Sequence, residues 1–335
     1  MIDLPKSNIY QSVDPLSDLL GLLRARCLVT ASLQAGGDWA MRFPAYEVGT
    51  LKFTAVLQGN CALRTEGDVA YSTSLREGDC VLLNGPPGYV VASDLALTPV
   101  DAQVAYAHVS DGRVRVGGVD AKCTTHLIGG MVRFDDGGAD LLLDSLPPVL
   151  VVQGSSSEAG AVLWLLRQLA RESAQPQVGS ASTTEHLAHL LFVQALRAHL
   201  ATQQAAEPHA RGWLAAVAEP RLGKALSLIH AHPSQPWTLD ALAVAANMSR
   251  STFSARFKAS VGRAPMDYLL HWRMQRAARA LRTGMLTIAS IAFENGYSSE
   301  SAFSHAFKRV TGQAPAKFRR QAAPGREGPS VAVVS

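Results

Sequence analysis

Ser251, Ser254 and Lys258 return fifty residues later as Ser301, Ser304 and Lys308. Each set is threaded by two phenylalanines, Phe253 and Phe257 in the first and Phe303 and Phe307 in the second. At helical spacing the phenylalanines share one face, while the hydroxyls and the lysine lie broadly opposite, with Ala255 and His305 at corresponding places. Short hydroxyl side chains beside a Lys can bond and neutralise phosphate, and they let a helix backbone come close to base edges in a groove. This is recognition chemistry, with no nucleophile, base or acid arranged to break a bond.

The metal and thiol candidates are poorer. His186 and His189 lie three apart on a helical stretch, but no Asp, Glu or Cys joins them at matching spacing. Residues 28–152 hold only His108 and His126, eighteen apart, so three or four convergent ligands are lacking and neither a metal nor another cofactor is expected. Cys27, Cys61, Cys80 and Cys123 form no CxxC pair and read as buried reduced thiols.

The elements that must carry the repeated face are short. Phe253 aligns with Phe303, Lys258 with Lys308, Gly262 with Gly312 and Pro265 with Pro315 at an offset of fifty, whereas Thr238 aligns with Thr287 at forty-nine. Each copy therefore runs helix, tight turn, helix, with one extra residue in the second turn. Ser249 is placed to cap the second helix of the first copy, and Ser298 or Ser299 that of the second. This is helix-turn-helix grammar, in which the second helix enters a major groove and the first braces it.

Between the copies, "APMDYLLHWRMQRAARALRTG" opens with Pro265, ends at Gly284 and keeps an apolar stripe of Leu270, Met274, Ala277, Ala278 and Leu281. About 18 residues of helix make a strut of about 27 Å. Two readers on such a strut suit successive major-groove faces about 34 Å apart.

Charge supports the division. Residues 1–210 carry 14 Lys/Arg against 21 Asp/Glu, and residues 211–320 carry 16 against 5, so the halves stand near −7 and +11. Concentrated Lys and Arg suit a polyanion through counterion release. No apolar run approaches the roughly 20 residues a membrane span requires, and "MIDLPKSNIY" lacks the basic patch and apolar stretch of an export signal. A cytoplasmic protein without a membrane partner is expected.

Upstream, residues 28–152 contain short β-rich runs broken by Gly, Asp, Asn and Pro about every ten residues, which read as an antiparallel barrel or sandwich. Two helical stretches follow. Ser155 with Glu158 and Ser182 with Glu185 fit capping boxes at their starts. Leu187, Leu190, Leu191, Phe192, Leu196 and Leu200 give the second stretch more apolar surface than one neighbour need cover, so packing on the sheets and a dimer interface are both open. "AAEPHARG" makes a hinge near residue 207.

The stretch "ANMSRSTFSARFKASVGRAPMDYLLHWRM" followed by "IAFENGYSSESAFSHAFKRVTGQAPAKFR" resembles the DNA-binding domain of the AraC/XylS transcription regulators over about residues 218–320. "GGDWAMRFP", "LKFTAVLQG" and "REGDCVLLNGPPGYVVASD" resemble the cupin-type sensor domain of one branch of that family. The resemblance implies a multidomain α+β chain: a cupin-like β-barrel sensor over 1–155, a helical linker and dimerisation segment over 156–207, an all-α double helix-turn-helix domain over 208–320 and a disordered tail over 321–335.

It implies a sequence-specific bacterial transcription regulator, not an enzyme, that binds promoter half-sites in double-stranded DNA and is controlled by a small-molecule effector. A homodimer through 156–207 and contact with RNA polymerase are the further partners. The DNA-facing residues would be Ser249, Arg250, Ser251, Ser254, Ala255 and Lys258 in the first unit, and Ser299, Glu300, Ser301, Ser304, His305 and Lys308 in the second. Trp39, Met41, Phe53 and Tyr89 are candidates to line an effector pocket.

Two positions depart from the family pattern. Ala255 stands where many relatives carry Arg, so the first unit should read bases weakly and His305 should contribute comparably. Thr54 stands where relatives carry His. The alternative, a cupin-type metalloenzyme fused to a basic domain, requires the ligand set that is missing.

Overall fold

Period-two alternation in the first half of the chain and 3.6-residue spacing in the second produce a sheet-bearing part and a helical part. The computed structural model describes residues 14–322 apart from 48, 68–69, 86–87, 108, 110–111, 119–121, 135–138, 155–158 and 207–211. The hinge near 207, the Ser155–Glu158 pair, His108 and the tail from 323 onward lie outside the described residues.

The chain begins with α1 (Pro15–Leu23), then β1 (Ala25–Gly36), β2 (Ala40–Phe43), β3 (Thr50–Gln58), β4 (Asn60–Thr65), β5 (Ser72–Arg76), β6 (Cys80–Asn84), β7 (Tyr89–Ala92) and β8 (Val100–Asp101). It continues with α2 (Ala102–Tyr106), β9 (Arg113–Gly117), β10 (Thr125–Phe134), α3 (Asp140–Leu143), β11 (Val149–Val152), α4 (Ala159–Ala174) and α5 (Ser180–Ala206). Helices complete it: α6 (Trp213–Ala218), α7 (Pro220–Ala231), α8 (Leu239–Ala245), α9 (Arg250–Val261), α10 (Pro265–Thr283), α11 (Ile288–Glu294), α12 (Glu300–Thr311) and α13 (Pro315–Ala322). Two compact units result. One runs from Leu23 to Ala210, and the other joins α1 as far as Leu22 to the chain from Arg211 onward.

In the first unit, one sheet has the order β11-β6-β3-β10-β1-β9 and the other β5-β4-β7-β2-β8. Neighbours are antiparallel except β9 on β1 and β8 on β2, both at sheet ends. The expected barrel is corrected here: among the described residues no strand pairing joins the two sheets, so they form an open sandwich. Closure would need hydrogen bonding carried around every edge, and end strands as short as β8, two residues long, do not supply it. The gap is filled by inward side chains such as Leu33, Met41, Val56, Leu63, Leu75 and Val91.

The opposite face of the larger sheet is covered by α4 and α5, which contact β3, β1 and β11. Val162, Leu166 and Leu169 from α4, with Leu191, Phe192 and Leu196 from α5, are buried. Phe192 meets Phe134 edge-on at 6.3 Å between ring centres. Helix α5 starts at Ser180, so Ser182 and Glu185 sit inside its first turns and do not cap it.

The second unit follows its local signals closely. Thr238 and Thr287 cap α8 and α11, accepting from the N–H groups of Ala241 and Ser290 at 3.1 and 3.0 Å. Pro265 opens α10, and Gly262, Gly284 and Gly312 end α9, α10 and α12 in the left-handed region at φ 79°, 71° and 77°. Helix α13 runs through Ala322, two residues into the segment expected as tail.

Candidate nucleic-acid interface

Two helices carry the repeated face, and their environments match position by position. From 251 to 260 and from 301 to 310 the sequence of exposed, half-buried and buried residues is the same. Phe253, Phe257, Phe303 and Phe307 are fully buried. Phe257 packs edge-on against Tyr268 at 5.7 Å, and Phe307 against Phe318 at 5.4 Å. These anchors fix the roll of α9 and α12 about their axes and so decide which residues face outward.

The caps fix where each helix begins. Ser249 accepts the N–H of Thr252 at 3.3 Å, and Ser299 accepts that of Ala302 at 3.2 Å. Of the two sequence candidates for the second cap, Ser299 is the one used. Outward on α9 lie Arg250, Ser251, Ala255 and Lys258, all exposed, with Ser254 half-buried. Outward on α12 lie Glu300, Ser301, His305 and Lys308, exposed, with Ser304 half-buried. All twelve residues expected from the sequence therefore fall on the two helices or their caps.

Charge on this surface is sorted by partner. Arg250 meets Asp240 at 3.5 Å, and Arg256, which projects toward the core side, meets Glu219 at 3.7 Å. Lys258 and Lys308 have no carboxylate within 4.0 Å among the described residues.

The arginines of the strut are engaged elsewhere. Arg273 donates to the carbonyls of Pro233 and Gln235 at 2.6 and 2.9 Å, Arg279 donates to that of Gly21 at 2.9 Å, and Arg282 lies over the Phe318 ring at 5.1 Å. These three arginines are spent on contacts within the unit, and the two lysines are left facing solvent.

Helix α10 contacts both α9 and α12. Its 19 residues span about 28 Å at 1.5 Å each, close to the about 34 Å between successive major-groove faces of a duplex.

Away from this surface, the pocket candidates separate. Tyr89 lines a cavity between the two sheets, stacked on Phe43 at 4.8 Å. Trp39 and Met41 are buried in the same inter-sheet core but do not line that cavity. Phe53 faces the other side of β3, pairing in register with Gly130. Sequence reasoning missed Lys52, Tyr106 and Gly129, which do line the cavity. Lys52 was findable, since it shares strand parity with the inward Thr54 and Val56.

His186 bonds the carbonyl of Ser182 at 2.7 Å, and His189 faces Cys27 at 4.0 Å, so the two do not converge on one point. Among the described residues no three His, Cys, Asp or Glu side chains are grouped to hold a metal ion. Burial pushes the Cys27, Cys61 and Cys80 thiols up to about 12, which keeps them protonated and unreactive. No helix among the described residues is long and apolar enough to cross a membrane.

A family model described as a cupin matches residues 14–201, and one described as a helix-turn-helix domain matches residues 242–321. The chain is similar to an AraC-like transcription regulator of Streptomyces lividans, 44% identical over 309 residues, which are 92% of this chain and 98% of that one. It is also similar to an AraC-like transcription regulator of Streptomyces antibioticus, 43% identical over 312 residues, 93% and 100% of the two chains. A solved transcriptional regulator with an AraC-type DNA-binding domain from Chromobacterium violaceum is 32% identical, covers 33% of this chain and 99% of its own, and has a TM-score of 0.31.

Proposed function

The chain belongs to the family of AraC-like transcription regulators, and from that premise we propose how it reads a promoter and what controls it. It is a DNA-binding regulator with a cupin domain. In our reading α9 and α12 enter successive major-groove faces. Lys258 and Lys308 neutralise phosphates, Ser249, Ser251, Ser254, Ser299, Ser301 and Ser304 bond phosphate or base edges, and Ala255 lets α9 approach closely. His305, with a ring nitrogen for a purine N7 or O6, supplies base reading. Arg250 and Glu300, in the first turns of the two helices, flank these contacts.

The observation that carries this is the match in burial between α9 and α12, whose buried phenylalanines leave the same short, basic face open twice. Two modest readers on one strut act as one stronger reader through effective concentration. The protein does no chemistry, works in the cytoplasm, takes a small-molecule effector between its sheets, and can meet RNA polymerase at a promoter. Trp164 and Leu190, exposed on α4 and α5, support a homodimer through residues 156–207.

Fluorescence anisotropy of the full chain against duplexes tiling the DNA around its gene, at two salt concentrations, tests the reading. One preferred fragment spanning two major-groove segments is the expected result. Equal binding to every fragment, with or without added metabolites, would overturn sequence-specific reading.

A further inference from the structure

The cavity between the sheets has a definite chemistry, set by four residues. Lys52 and Thr54 reach it from β3, Tyr106 from the end of α2 and Gly129 from β10. Its remaining wall is largely apolar, with Leu33, Val91 and Leu127 among the contributors.

Lys52 is half-buried, and its ammonium has no carboxylate within 4.0 Å among the described residues. Its neighbours include the Tyr46 ring, 5.6 Å from Nζ to centroid, and the like-charged Arg133. Burial and Arg133 both press its pKa downward, and no acid opposes them. A lysine stem lying along a largely apolar wall, with no counter-ion at its head, leaves that charge to water or to an anionic ligand.

The Tyr106 hydroxyl is buried and has no hydrogen-bond partner among the described residues. Two donors without a protein acceptor among the described residues thus border one space. Tyr46 does not fill the gap, because its hydroxyl donates to the Leu83 carbonyl at 2.8 Å.

Gly129 shows that the space is kept open. Its backbone is not in the left-handed region, and a Cβ there would meet only the Phe53 carbonyl at 3.5 Å, the Ala31 Cβ at 3.9 Å and the Thr54 hydroxyl at 4.0 Å, all ordinary contacts. Nothing in the backbone requires glycine at this position, and a side chain would occupy the cavity. The cavity measures about 40 Å³, on a scale where one water needs roughly 10–15 Å³. That suits a small head group with a short tail.

We propose that this cavity binds a small organic carboxylate, its anionic oxygens taken by the Lys52 ammonium and the Tyr106 hydroxyl and its short apolar tail lying along Leu33, Val91 and Leu127. The inference rests on the effector reading above and gives that effector its chemical class.

Calorimetric titration of the full chain with acetate, butyrate and benzoate, beside acetamide, butyramide and benzamide, tests it. The wild type is compared with Lys52→Met, which keeps the stem and removes the charge, and Gly129→Leu, which fills the cavity; cooperative thermal unfolding checks that each is folded. At least one carboxylate should bind, its amide at least tenfold more weakly; Lys52→Met should lose at least tenfold, and Gly129→Leu should abolish binding.

Amides binding as well as carboxylates, or full carboxylate affinity in Lys52→Met, would overturn the anion class. If Gly129→Leu still blocked the amides, the effector cavity itself would stand. Carboxylate binding that survives Gly129→Leu would place the site elsewhere, and absence of binding by all six probes would overturn the inference outright. Promoter binding by the wild type, read separately by anisotropy, is unaffected by any of these outcomes.

Discussion

Asn247 and Gly296 occupy the same left-handed backbone region, at φ 52° and 80°, in the turns of the two helix-turn-helix units. The following residue closes each turn identically, with the N–H of Met248 donating to Ala243 and that of Tyr297 donating to Ala292, both at 3.0 Å. Their surroundings differ. A Cβ on Gly296 would stand 2.5 Å from the Ser234 carbonyl oxygen, whereas Asn247 already carries a side chain. Gly296→Ala should therefore cost about 1–3 kcal/mol, more than Asn247→Ala, while Asn247→Gly should be close to neutral. Urea unfolding of the three variants checks the order.

Lys258→Ala and Lys308→Ala should each weaken binding to specific and unrelated duplexes alike. Each removes about one released counterion, so the slope of log K against log salt should become shallower by about 0.9. Anisotropy titrations across a salt series measure this. An unchanged slope would remove the lysine from the set of phosphate contacts.

His305→Ala should behave differently. Deleting a hydrogen bond to a base edge in the major groove shifts preference at one base pair by about 1–3 kcal/mol while leaving the salt slope nearly intact. Competition among duplexes substituted one base pair at a time within the preferred site reads the effect, and an unaltered preference profile would show that α12 does not read bases through this residue.

A pH dependence follows from His230, which is buried and stacked on Trp272 at 3.7 Å. The Trp213 indole N–H donates to the Tyr268 hydroxyl at 2.9 Å, that hydroxyl shares a hydrogen bond with His230 Nε2 at 2.7 Å, and His230 Nδ1 lies 3.6 Å from Asp18. Burial lowers the His230 pKa; Asp18 and the more distant Asp14 oppose this and Arg276 reinforces it. The unfolded chain then binds the proton more readily, so stability falls as pH drops below about 6.5, by at most about 1.4 kcal/mol per pH unit from this residue. Urea unfolding between pH 7.5 and 5 should show a shallower acid loss in His230→Phe than in the wild type, whatever the variant's stability at pH 7.5.

Elemental analysis of the purified full chain should find no stoichiometric Fe, Mn or Zn. His126, one of the two histidines of the 28–152 segment, lies on β10 with Nε2 3.0 Å from the Ser32 hydroxyl, and among the described residues it belongs to no group of three potential ligands. A stoichiometric metal would revive the metalloenzyme alternative.

The helical unit was legible in the amino-acid sequence because its instructions are local. Thr238, Ser249, Thr287 and Ser299 cap helices whose N–H groups lie three residues away, and Gly262, Gly284 and Gly312 end them within one turn. The phenylalanines at i and i+4 determine which face is buried, so the outward residues follow from periodicity alone. Only tertiary structure decided that the sheets stay open, that Arg279 fastens the carbonyl of Gly21 across 258 positions of sequence, and that Lys52, Tyr106 and Gly129 meet around one cavity. Those outcomes depend on pairing and packing between segments far apart in the chain. No single window of residues contains both partners, and their meeting is settled by the burial that the whole fold achieves.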